Sequence, residues 1–507
     1  MRKENIRIAK NTIIVYVRLI ITAIVGLLTS RYVLQLLGAS DYGLYSVIGG
    51  VIAMFTFVSG SLQSTTVRFI NYEIGKADGD LSRMFSSARQ IHIMFAAVIF
   101  ILAELVGMLY IKFFLNMEAG KIDDAYFVFH VSVLTACLGI VNIPHQGLLI
   151  AHEKFFHVAC IDILSAVSKL VMVIALFHIK GNPLRLFALG MSLLMVLSFL
   201  AYLILCWRKW PLLVKLHFSK YDGLQKEILV FNSFTLLSAA SLMGRNQGGN
   251  LLINYFYGTV VNAAYAISNS VHIYVNMFAG CFDQASAPQI TQSLSRGDMD
   301  RAVYLVNHTS RICILLVEIV YFTMAANLNI FLHLWLGENV PDGAATFCHL
   351  TLLLAVISAT SAGLSQFIIG VGNLKPFSFT VAVLYATALL VGGVLFHLGY
   401  KPYIIILLFL FADSINRGFQ LFYLRRLVKF SIRTFLREAY LRPLVVFLIG
   451  VITVLAYQSF FMSSVLFQWL GIVVVLMVMF LSVIFVGLTS SERVKIASSI
   501  IQKVRNE

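Results

Sequence analysis

The sequence predicts an all-α polytopic membrane protein with about fourteen transmembrane helices. Its 507 residues are 59% hydrophobic and only 12% charged, whereas a soluble domain is about half apolar and a quarter charged. The mean hydropathy is +0.87. An apolar stretch of about 20 residues crosses a bilayer. Such stretches lie near 12–37, 44–70, 91–115, 125–150, 157–179, 185–206, 231–257, 259–285, 307–334, 346–370, 377–398, 402–424, 443–461 and 466–488.

The distribution of basic residues predicts the orientation of the chain. Lysine and arginine concentrate in the cytoplasmic loops of membrane proteins. With the N-terminus inside, most of the 38 lysines and arginines fall in cytoplasmic segments. The loops predicted to lie outside hold only Lys112, Lys121, Lys180, Arg185 and Lys401. We therefore expect both termini in the cytoplasm. The net charge of +15 is explained by basic segments that contact anionic lipid headgroups. A nucleic-acid partner is therefore not expected.

An internal repeat divides the chain into two similar halves. A shift of 220 positions superimposes several landmarks at the same points of the predicted topology. The paired positions are Gly38 and Gly258, Tyr45 and Tyr265, residues 76–80 and 296–300, Gln146 and Gln366, and, within one residue, Pro183 and Pro402. Six helices per half is an even number, so both halves enter the membrane from the same side and form a parallel repeat.

The predicted organisation is a six-helix half at 1–220, a second at 221–430, and two further helices with a basic cytoplasmic tail at 431–507. Transporter repeats enclose a binding site and move against each other to alternate its access. The repeat therefore favours a transporter over a non-transporting membrane scaffold.

The seventh predicted helix is the least suited to a lipid environment. Arg245 lies near its middle, and the amides Asn246, Asn250 and Asn254 follow at i+4 spacing on one face. A charge at the bilayer centre costs about 2.5–3.5 kcal/mol on insertion scales, so it usually faces a cavity or a partner. Gly244, Gly248 and Gly249 weaken the helix here, and interrupted helices mark binding sites in transporters.

Two interpretations of this helix remain open. In the first, Arg245 faces a substrate cavity. In the second, Arg245 is a structural cation paired with a helix carboxylate such as Glu318, and the glycines serve helix packing.

The eighth predicted helix carries one continuous polar face. Its members are Asn262, Tyr265, Asn269, His272 and Asn276, with Asp283 seven residues further on. Spacings of three and four place such residues on one side of a helix. A stripe of this length is not expected to face lipid, so Asn269, His272 and Asn276 are assigned to the cavity. A lone histidine is more often a hydrogen-bonded bundle residue than a proton carrier.

Other basic residues within helices lie near the membrane surfaces. Arg31 lies about two turns from the outer end of helix 1, and Arg68 lies near the inner end of helix 2. Either residue can face the cavity or extend to the headgroups, and Arg18 is expected to do the latter.

The acidic residues within helices divide into two groups. Asp162 with Lys169, and Asp413 with Arg417, are predicted to form structural ion pairs. Glu104 and Glu318 have no partner visible in the sequence. Together with Asp283 they are the candidates for ion coupling.

The sequence contains no signature of a soluble enzyme. Walker A, G-x-S-x-G and H-E-x-x-H motifs are absent, and no predicted loop is long enough for a catalytic domain. The six cysteines lie singly inside predicted helices, so neither a disulfide nor a metal site is expected. We expect a non-enzyme without cofactors that draws on an ion gradient, the membrane potential or the substrate gradient.

The segment from Arg31 to Tyr45 reads RYVLQLLGASDYGLY. It resembles the end of helix 1 and the start of helix 2 in the polysaccharide-transporter branch of the multidrug/oligosaccharidyl-lipid/polysaccharide (MOP) exporter superfamily. This branch includes the O-antigen and capsule repeat-unit flippases. The helix number, the two halves and the turn from Gln366 to Pro376 also resemble this branch.

The resemblance implies a MATE-like fold in the bacterial inner membrane. It also implies a substrate, an oligosaccharide on a polyprenyl diphosphate, that moves from the cytoplasmic to the outer leaflet. A central cavity lined by helices 1, 2, 7 and 8 would supply cations for the diphosphate, and Arg31, Arg68 and Arg245 lie on those helices. The expected partners are this substrate, membrane lipids, and polysaccharide polymerase or assembly proteins. The alternative is a cation-coupled multidrug antiporter of the MATE branch, which often has an acidic residue in helix 1 that this sequence lacks.

Overall fold

The computed structural model describes residues 2–53, 56–113, 120–215, 223–336, 340–428, 430–461, 464–490 and 492–494. All regular elements in these ranges are helices. Those of the first part of the chain are α1 Arg2–Ala53, α2 Thr56–Gly75, α3 Leu81–Phe113, α4 Ile122–Ala151, α5 Phe155–Leu176, α6 Pro183–Lys209 and α7 Pro211–Val214. Those of the second part are α8 Gly223–Ser295, α9 Met299–Ala326, α10 Leu328–Leu336, α11 Ala344–Ala359, α12 Leu364–Val371, α13 Lys375–His397, α14 Ile404–Leu427, α15 Ile432–Phe435, α16 Leu441–Phe460 and α17 Val465–Ser482. π-Helical turns at Leu436–Tyr440 and Val483–Gly487 adjoin α16 and α17.

Two glycines bend the longest helices. Gly38 in α1 has φ 71° and ψ 173°, and Gly258 in α8 has φ 77° and ψ −174°. This backbone region is essentially restricted to glycine. No atom lies within 4 Å of the position that a Cβ would occupy at either residue, so the conformation and not the space requires glycine. Each bend separates two of the predicted membrane stretches.

The helices are long and apolar enough for a multi-pass membrane protein. Eleven of those described pass a test of length and hydropathy, or twelve if α11 and α12, which meet at a 44° bend, form one span. Large apolar side chains face outward, as with Leu105 at 60% and Leu390 at 73% exposure, which suits a surface covered by lipid. The predicted all-α polytopic class is confirmed. The number fourteen stays a prediction, because the helical segments after Gly38 and Gly258 are not among those that pass this test.

The first compact unit comprises Met1–Ala240 with Thr291–Gly297. Here α4 packs against α2, α3 and α6, and α1 packs against α5. Phe129, Val133 and Phe187 are buried in its apolar core. The opening residues of α8 belong to this unit by packing, so its limit differs from the predicted repeat boundary at 220, which stays a prediction.

The second compact unit comprises Ser241–Ile290 with Asp298–Glu507. Helix α11 packs against α9 and α14, and α13 packs against α14. The last two long helices, α16 and α17, lie on α9, where Phe322, Val446 and Met479 share a core. The two helices outside the predicted repeat are thus an integral part of this unit.

The predicted ion pair of Asp162 with Lys169 is wrong. Asp162 accepts a hydrogen bond from Nη1 of Arg18 at 3.0 Å and one from the hydroxyl of Tyr202 at 2.9 Å. Arg18, expected to extend to the headgroups, is therefore held inside the first unit. The physical reason is that a carboxylate takes the cation that tertiary packing brings nearest, and residues seven apart on one helix lie two turns from each other.

Candidate functional site

A buried ion pair lies within the second unit. Nη1 of Arg245 lies 3.6 Å from Oδ2 of Asp413, and the two side chains are only 7% and 3% exposed. Nη1 also donates to the hydroxyl of Tyr385 at 3.4 Å, and Nε donates to Oδ1 of Asn246 at 3.2 Å. The rings of Tyr385 and Phe409 flank the guanidinium at 5.0 and 5.7 Å.

Both carboxylate oxygens of Asp413 accept hydrogen bonds. Its Oδ1 accepts a hydrogen bond from Tyr385 at 2.6 Å, and its Oδ2 accepts one from Ser358 at 2.9 Å. The predicted pair of Asp413 with Arg417 is therefore wrong, and Arg417 donates to Gln420 at 2.7 Å instead.

Glu318 is not the partner of Arg245 either. It is 2% exposed, and its Oε2 makes no hydrogen bond within the described part of the chain. The cation of α8 therefore pairs with a carboxylate of α14, and the suggested pairing with α9 is wrong.

The glycines near Arg245 do not interrupt the helix. Helix α8 runs without a break from Gly223 to its bend at Gly258. A Cβ at Gly248 would lie 2.8 Å from Leu389, and one at Gly249 would lie 2.4 Å from the Tyr265 hydroxyl. These two glycines therefore serve close packing, and the expected weakening of the helix at this point is wrong.

The amide stripe that follows Arg245 is only partly enclosed. Asn246 and Asn250 are half-buried, whereas Asn254 is exposed. Nδ2 of Asn250 donates to the carbonyl of Asn246 at 3.2 Å. Oδ1 of Asn250 is buried and accepts no hydrogen bond from the described residues.

The polar face of the second half of α8 points into the second unit. His272 is buried; its Nδ1 donates to the carbonyl of Thr351 at 3.2 Å, and its Nε2 accepts from Asn276 at 2.9 Å. These contacts fix a neutral imidazole with its proton on Nδ1. Asn269 bonds the hydroxyl of Tyr265. The polar stripe is thus enclosed within the bundle, and His272 has the contacts of a hydrogen-bonded bundle residue.

Asp283, at the end of this face, meets the break between α11 and α12. Its Oδ1 accepts from the backbone N–H of Gly363 at 2.9 Å, and its Oδ2 accepts from Nε2 of Gln366 at 2.9 Å. Gly363 has φ 73°, which favours glycine and turns its N–H toward the carboxylate. A broken helix here exposes a backbone donor to an acidic side chain.

A cavity of about 200 Å³ adjoins Asp283. We call it the Asp283 cavity, and its lining residues are Asn276, Ala279, Gly280, Asp283, Ser358, Ala359, Ser361, Ala362 and Ser365. The hydroxyls of Ser361 and Ser365 lie 2.7 Å apart and both contact Gln420. The polar side of the cavity therefore consists of oxygen and amide groups around a single carboxylate.

In the first unit, Arg68 is a buried cation. Its side chain is 7% exposed and lies 4.0 Å from Oε1 of Glu227, a side chain that is 65% exposed. The rings of Phe69, Tyr72 and Phe231 surround its guanidinium at 4.3, 5.0 and 4.8 Å. Aromatic faces stabilise a guanidinium without neutralising it.

The two other candidates of the first unit lie on α1 and α3. Arg31 is exposed and makes no ion pair within the described ranges. Oε2 of Glu104 lies 2.8 Å from Nδ1 of His130, in a contact that lacks hydrogen-bond geometry. Glu104 therefore has a partner that the sequence did not reveal.

The first unit has a cavity of about 320 Å³ that corresponds to the Asp283 cavity under the 220-residue shift. We call it the Gln63 cavity. Four of its lining residues correspond to lining residues of the Asp283 cavity under this shift. The pairs are Ser59 with Ala279, Gly60 with Gly280, Gln63 with Asp283, and Gly139 with Ala359. Gln63 donates to Gln146 at 3.1 Å, whereas in the equivalent pair the donor is Gln366 and the acceptor is Asp283.

The neighbours of Arg245 could not be found from the sequence. Asp413 and Tyr385 lie on helices distant in sequence from Arg245, so no spacing rule connects them to it. The equivalence of Gln63 and Asp283, by contrast, follows from the sequence itself. The 220-residue shift that paired Gln146 with Gln366 was a sufficient signal for that relationship.

Comparisons with known proteins identify the family and the fold. The model of the family described as "Polysaccharide biosynthesis protein" matches residues 8–294. No curated protein matches the chain. Similar solved structures include MATE in the bent conformation, with a TM-score of 0.72, 14% identity, and coverage of 83% of this chain and 96% of that chain.

Two further structures agree in fold. One is a MOP superfamily transporter from Pyrococcus furiosus, with a TM-score of 0.70, 14% identity, and coverage of 84% of this chain and 96% of that chain. The other is an outward-facing multidrug resistance MATE family transporter, with a TM-score of 0.69, 13% identity, and coverage of 89% and 96%. The resemblance inferred from the segment at residues 31–45 is thereby confirmed.

Proposed function

Because the chain belongs to the polysaccharide biosynthesis protein family, we propose that it is a flippase for a lipid-linked oligosaccharide. It carries a polyprenyl-diphosphate-linked oligosaccharide from the cytoplasmic to the outer leaflet by alternating access, for the assembly of a surface polysaccharide. The protein lies in the cytoplasmic membrane of a bacterium with both termini inside. Polymerase or assembly proteins receive its product.

The observation that carries this proposal is the environment of Arg68. Its guanidinium is buried, Oε1 of the exposed Glu227 side chain lies 4.0 Å away, and aromatic rings of Phe69 and Phe231 lie close to it. A buried cation in a membrane helix usually faces a cavity or a charged group, and an anionic ligand is such a group. Arginine suits a diphosphate because its planar fork of donors matches phosphate oxygens.

Arg31 and Arg245 are the other arginines proposed to bind the diphosphate. They differ in the contacts that each already makes. Arg31 is exposed and makes no ion pair within the part of the chain that the structure describes. Arg245 already contacts Asp413, Tyr385 and Asn246, so a diphosphate reaches it only by competing with Asp413. The neutral hydrogen-bonding groups that suit sugar hydroxyls are supplied by His272 and the amides of Asn246, Asn250, Asn254, Asn269 and Asn276.

The test is complementation of a deletion strain with Arg68→Ala and Arg68→Lys. We expect Arg68→Ala to insert at normal abundance, to abolish the surface polysaccharide and to accumulate lipid-linked oligosaccharide in the inner leaflet. Arg68→Lys should retain part of the activity, because lysine keeps the charge but not the fork. Arg83, which is exposed in the same unit, provides the matched control, and Arg83→Ala should be silent. Normal polysaccharide from a well-expressed Arg68→Ala protein would refute the assignment.

A second candidate function, a cation-coupled multidrug antiporter, is favoured by the Asp283 cavity. A cavity with one carboxylate and no basic side chain in its lining suits a cationic drug. Expression in a drug-sensitive strain distinguishes the two functions. The flippase proposal expects no change in susceptibility to lipophilic cations, whereas resistance abolished by Asp283→Asn would favour the antiporter.

A further inference from the structure

Two adjoining cavities lie at the C-terminal end of α9, within the second unit. Their volumes are about 580 Å³ and about 360 Å³, and Asn327 and Asn329 line both of them. These volumes lie in the range of about 300–1,000 Å³ that small-molecule sites occupy. We call the two cavities together the Asn327 cleft. The predicted topology places this end of α9 on the outer side of the membrane.

The cleft forms where the chain leaves the helical conformation at Asn327. This residue has φ −150° and ψ 79°, and it separates α9 from α10. Its Nδ2 donates to the hydroxyl of Tyr457 on α16 at 3.1 Å and to Oε1 of Gln468 on α17 at 3.3 Å. These contacts connect the break to both helices that lie outside the predicted repeat, so the fold fixes this wall of the cleft.

The polar groups around the cleft are amides and imidazoles. Asn329 and His333 lie four residues apart on one face of α10, and Gln468 lines the same cavity. The second cavity adds His349 and Gln458. Among the residues that the structure describes, neither lining contains a lysine, arginine, aspartate or glutamate. Such a lining suits an uncharged ligand rich in hydrogen-bonding groups, because amides and neutral imidazoles both donate and accept.

Trp469 adds an aromatic surface to the larger cavity, and it is 38% exposed. The C–H groups on the face of a sugar ring pack on a flat aromatic ring, while the sugar hydroxyls bond to amides. An indole beside several amides therefore suits a carbohydrate. A phospholipid headgroup carries a phosphate, whose usual partner is an arginine or lysine, and this lining has neither.

The first half of the repeat shows that these positions do not need polar residues. Four polar residues of the cleft correspond to glycine or a large apolar residue under the 220-residue shift. The pairs are Asn327 with Gly107, Asn329 with Leu109, His333 with Phe113, and His349 with Phe129. Helix α3 continues to Phe113 without a break, and Leu109 and Phe113 are 57% and 66% exposed. The break and its amides therefore belong to the second half alone.

From these observations we propose that the Asn327 cleft binds a neutral carbohydrate on the outer side of the membrane. Trp469 stacks on one sugar ring, and Asn329, His333 and Gln468 bond to the sugar hydroxyls. The inference deepens the proposed function and rests on it for the source of the sugar, which is the oligosaccharide of the lipid-linked substrate. The cleft holds this glycan after it has crossed the membrane.

The test measures binding of a sugar that lacks the diphosphate. The probe is the oligosaccharide that mild acid releases from the lipid-linked pool of a deletion strain. It is titrated by calorimetry into the full-length protein in phosphatidylcholine nanodiscs. We expect the wild type to bind the probe, and Asn329→Ala and Trp469→Ala each to weaken binding about tenfold, because each removes one direct contact with the sugar. Both side chains lie at exposed positions, so neither change is expected to disturb the fold.

Trp207 provides the matched control. It lies on α6 of the first unit and is 58% exposed, and Trp207→Ala should leave the affinity for the probe unchanged. Maltotriose, a neutral trisaccharide from another source, should bind more weakly than the probe. The probe itself should be uncharged, because the lining offers no charged side chain to an acidic or basic sugar.

The proposal is overturned if the wild type does not bind the probe, if Asn329→Ala and Trp469→Ala bind it as tightly as the wild type, or if the pool contains a charged oligosaccharide. Equal affinity for maltotriose would refute the translocated oligosaccharide as the ligand. Arg68→Ala separates this site from the proposed function, since the probe has no diphosphate and should bind that variant normally. Probe binding together with normal surface polysaccharide in Arg68→Ala would refute the diphosphate site alone. A wild type that does not bind the probe, with polysaccharide lost in Arg68→Ala, would refute the cleft alone.

Discussion

Arg245 on α8 and Asp413 on α14 form a buried pair whose closest atoms, Nη1 and Oδ2, are 3.6 Å apart. Removal of the cation leaves a buried carboxylate without compensation, and breaking such a pair costs about 3–5 kcal/mol. We therefore expect Arg245→Ala to lower the amount of protein in the membrane. Arg245→Ala combined with Asp413→Asn should restore it, because the second change removes the uncompensated charge.

The double variant also tests the role of Arg245 in substrate binding. If Arg245 contacts the diphosphate, the restored protein still makes no surface polysaccharide, and Arg245→Lys keeps part of the activity. Quantitative blots of membranes beside glycan staining separate the two effects. Normal glycan from the double variant would assign Arg245 to structure alone.

Gly38 and Gly258 should resist substitution. Each adopts a backbone conformation essentially closed to other residues, and a side chain forced into such a region costs about 1–3 kcal/mol. We expect Gly38→Ala and Gly258→Ala each to lower the unfolding temperature of the purified protein. Gly26 is the control, since it lies in the interior of α1 and no atom is within 4 Å of the position that its Cβ would take. Gly26→Ala should be neutral or slightly stabilising, and equal effects at all three glycines would contradict this explanation.

Glu492 connects the segment after α17 to α9. Burial by itself raises the pKa of Glu492, but the hydrogen bond and charge of His308, the charge of Arg311 and the backbone N–H of Thr489 outweigh it and lower the pKa to about 2. A carboxylate whose pKa falls on folding stabilises the folded state above its unfolded pKa, near 4.5, and this stabilisation is lost as the pH falls toward 2.

Glu492→Gln should therefore destabilise the protein near neutral pH. Loss of a hydrogen bond to a charged group costs about 1.5–3 kcal/mol, and the difference from the wild type should shrink as the pH falls below about 4 and vanish toward about 2. Thermal unfolding across pH measures this difference. Asp78→Asn, at an exposed position, is the control and should change little. A deficit that persists at low pH would point to lost packing and not to charge.

The orientation of the chain is tested by reporter fusions. Fusions after Lys220 and Lys429 should report the cytoplasm, and fusions after Asp124 and Asp342 should report the outside, because the basic residues cluster in the first set of segments. A pair of enzymes active on opposite sides of the membrane gives the readout. Reversed activity at two of the four positions would refute the fourteen-helix topology.

The fold was predictable to a large extent because membrane insertion is decided by local composition. Runs of apolar residues located the helices, and Gly38 and Gly258 stand out as repeat landmarks in the sequence, without any knowledge of their bends. The spans predicted after these two glycines stay predictions, because polar residues interrupt both segments.

The candidate site was predictable only in part. The sequence placed Arg245, His272, Asn276 and Asp283 on polar faces of helices, since the period of a helix is a local property. It assigned the wrong partners to Arg245 and Asp162, because the partner of a buried charge depends on which helices pack together.

The sequence by itself determined the membrane class and the helix faces that carry polar groups, since both follow from composition and periodicity along the chain, and the resemblance of residues 31–45 indicated the family. Only the tertiary structure decided that Arg245 pairs with Asp413, that Gly363 and Gln366 bind Asp283, and that Arg68 lies among aromatic rings. The physical reason is that low-dielectric burial makes each charge depend on neighbours within a few ångströms, and those neighbours come from helices far apart in sequence.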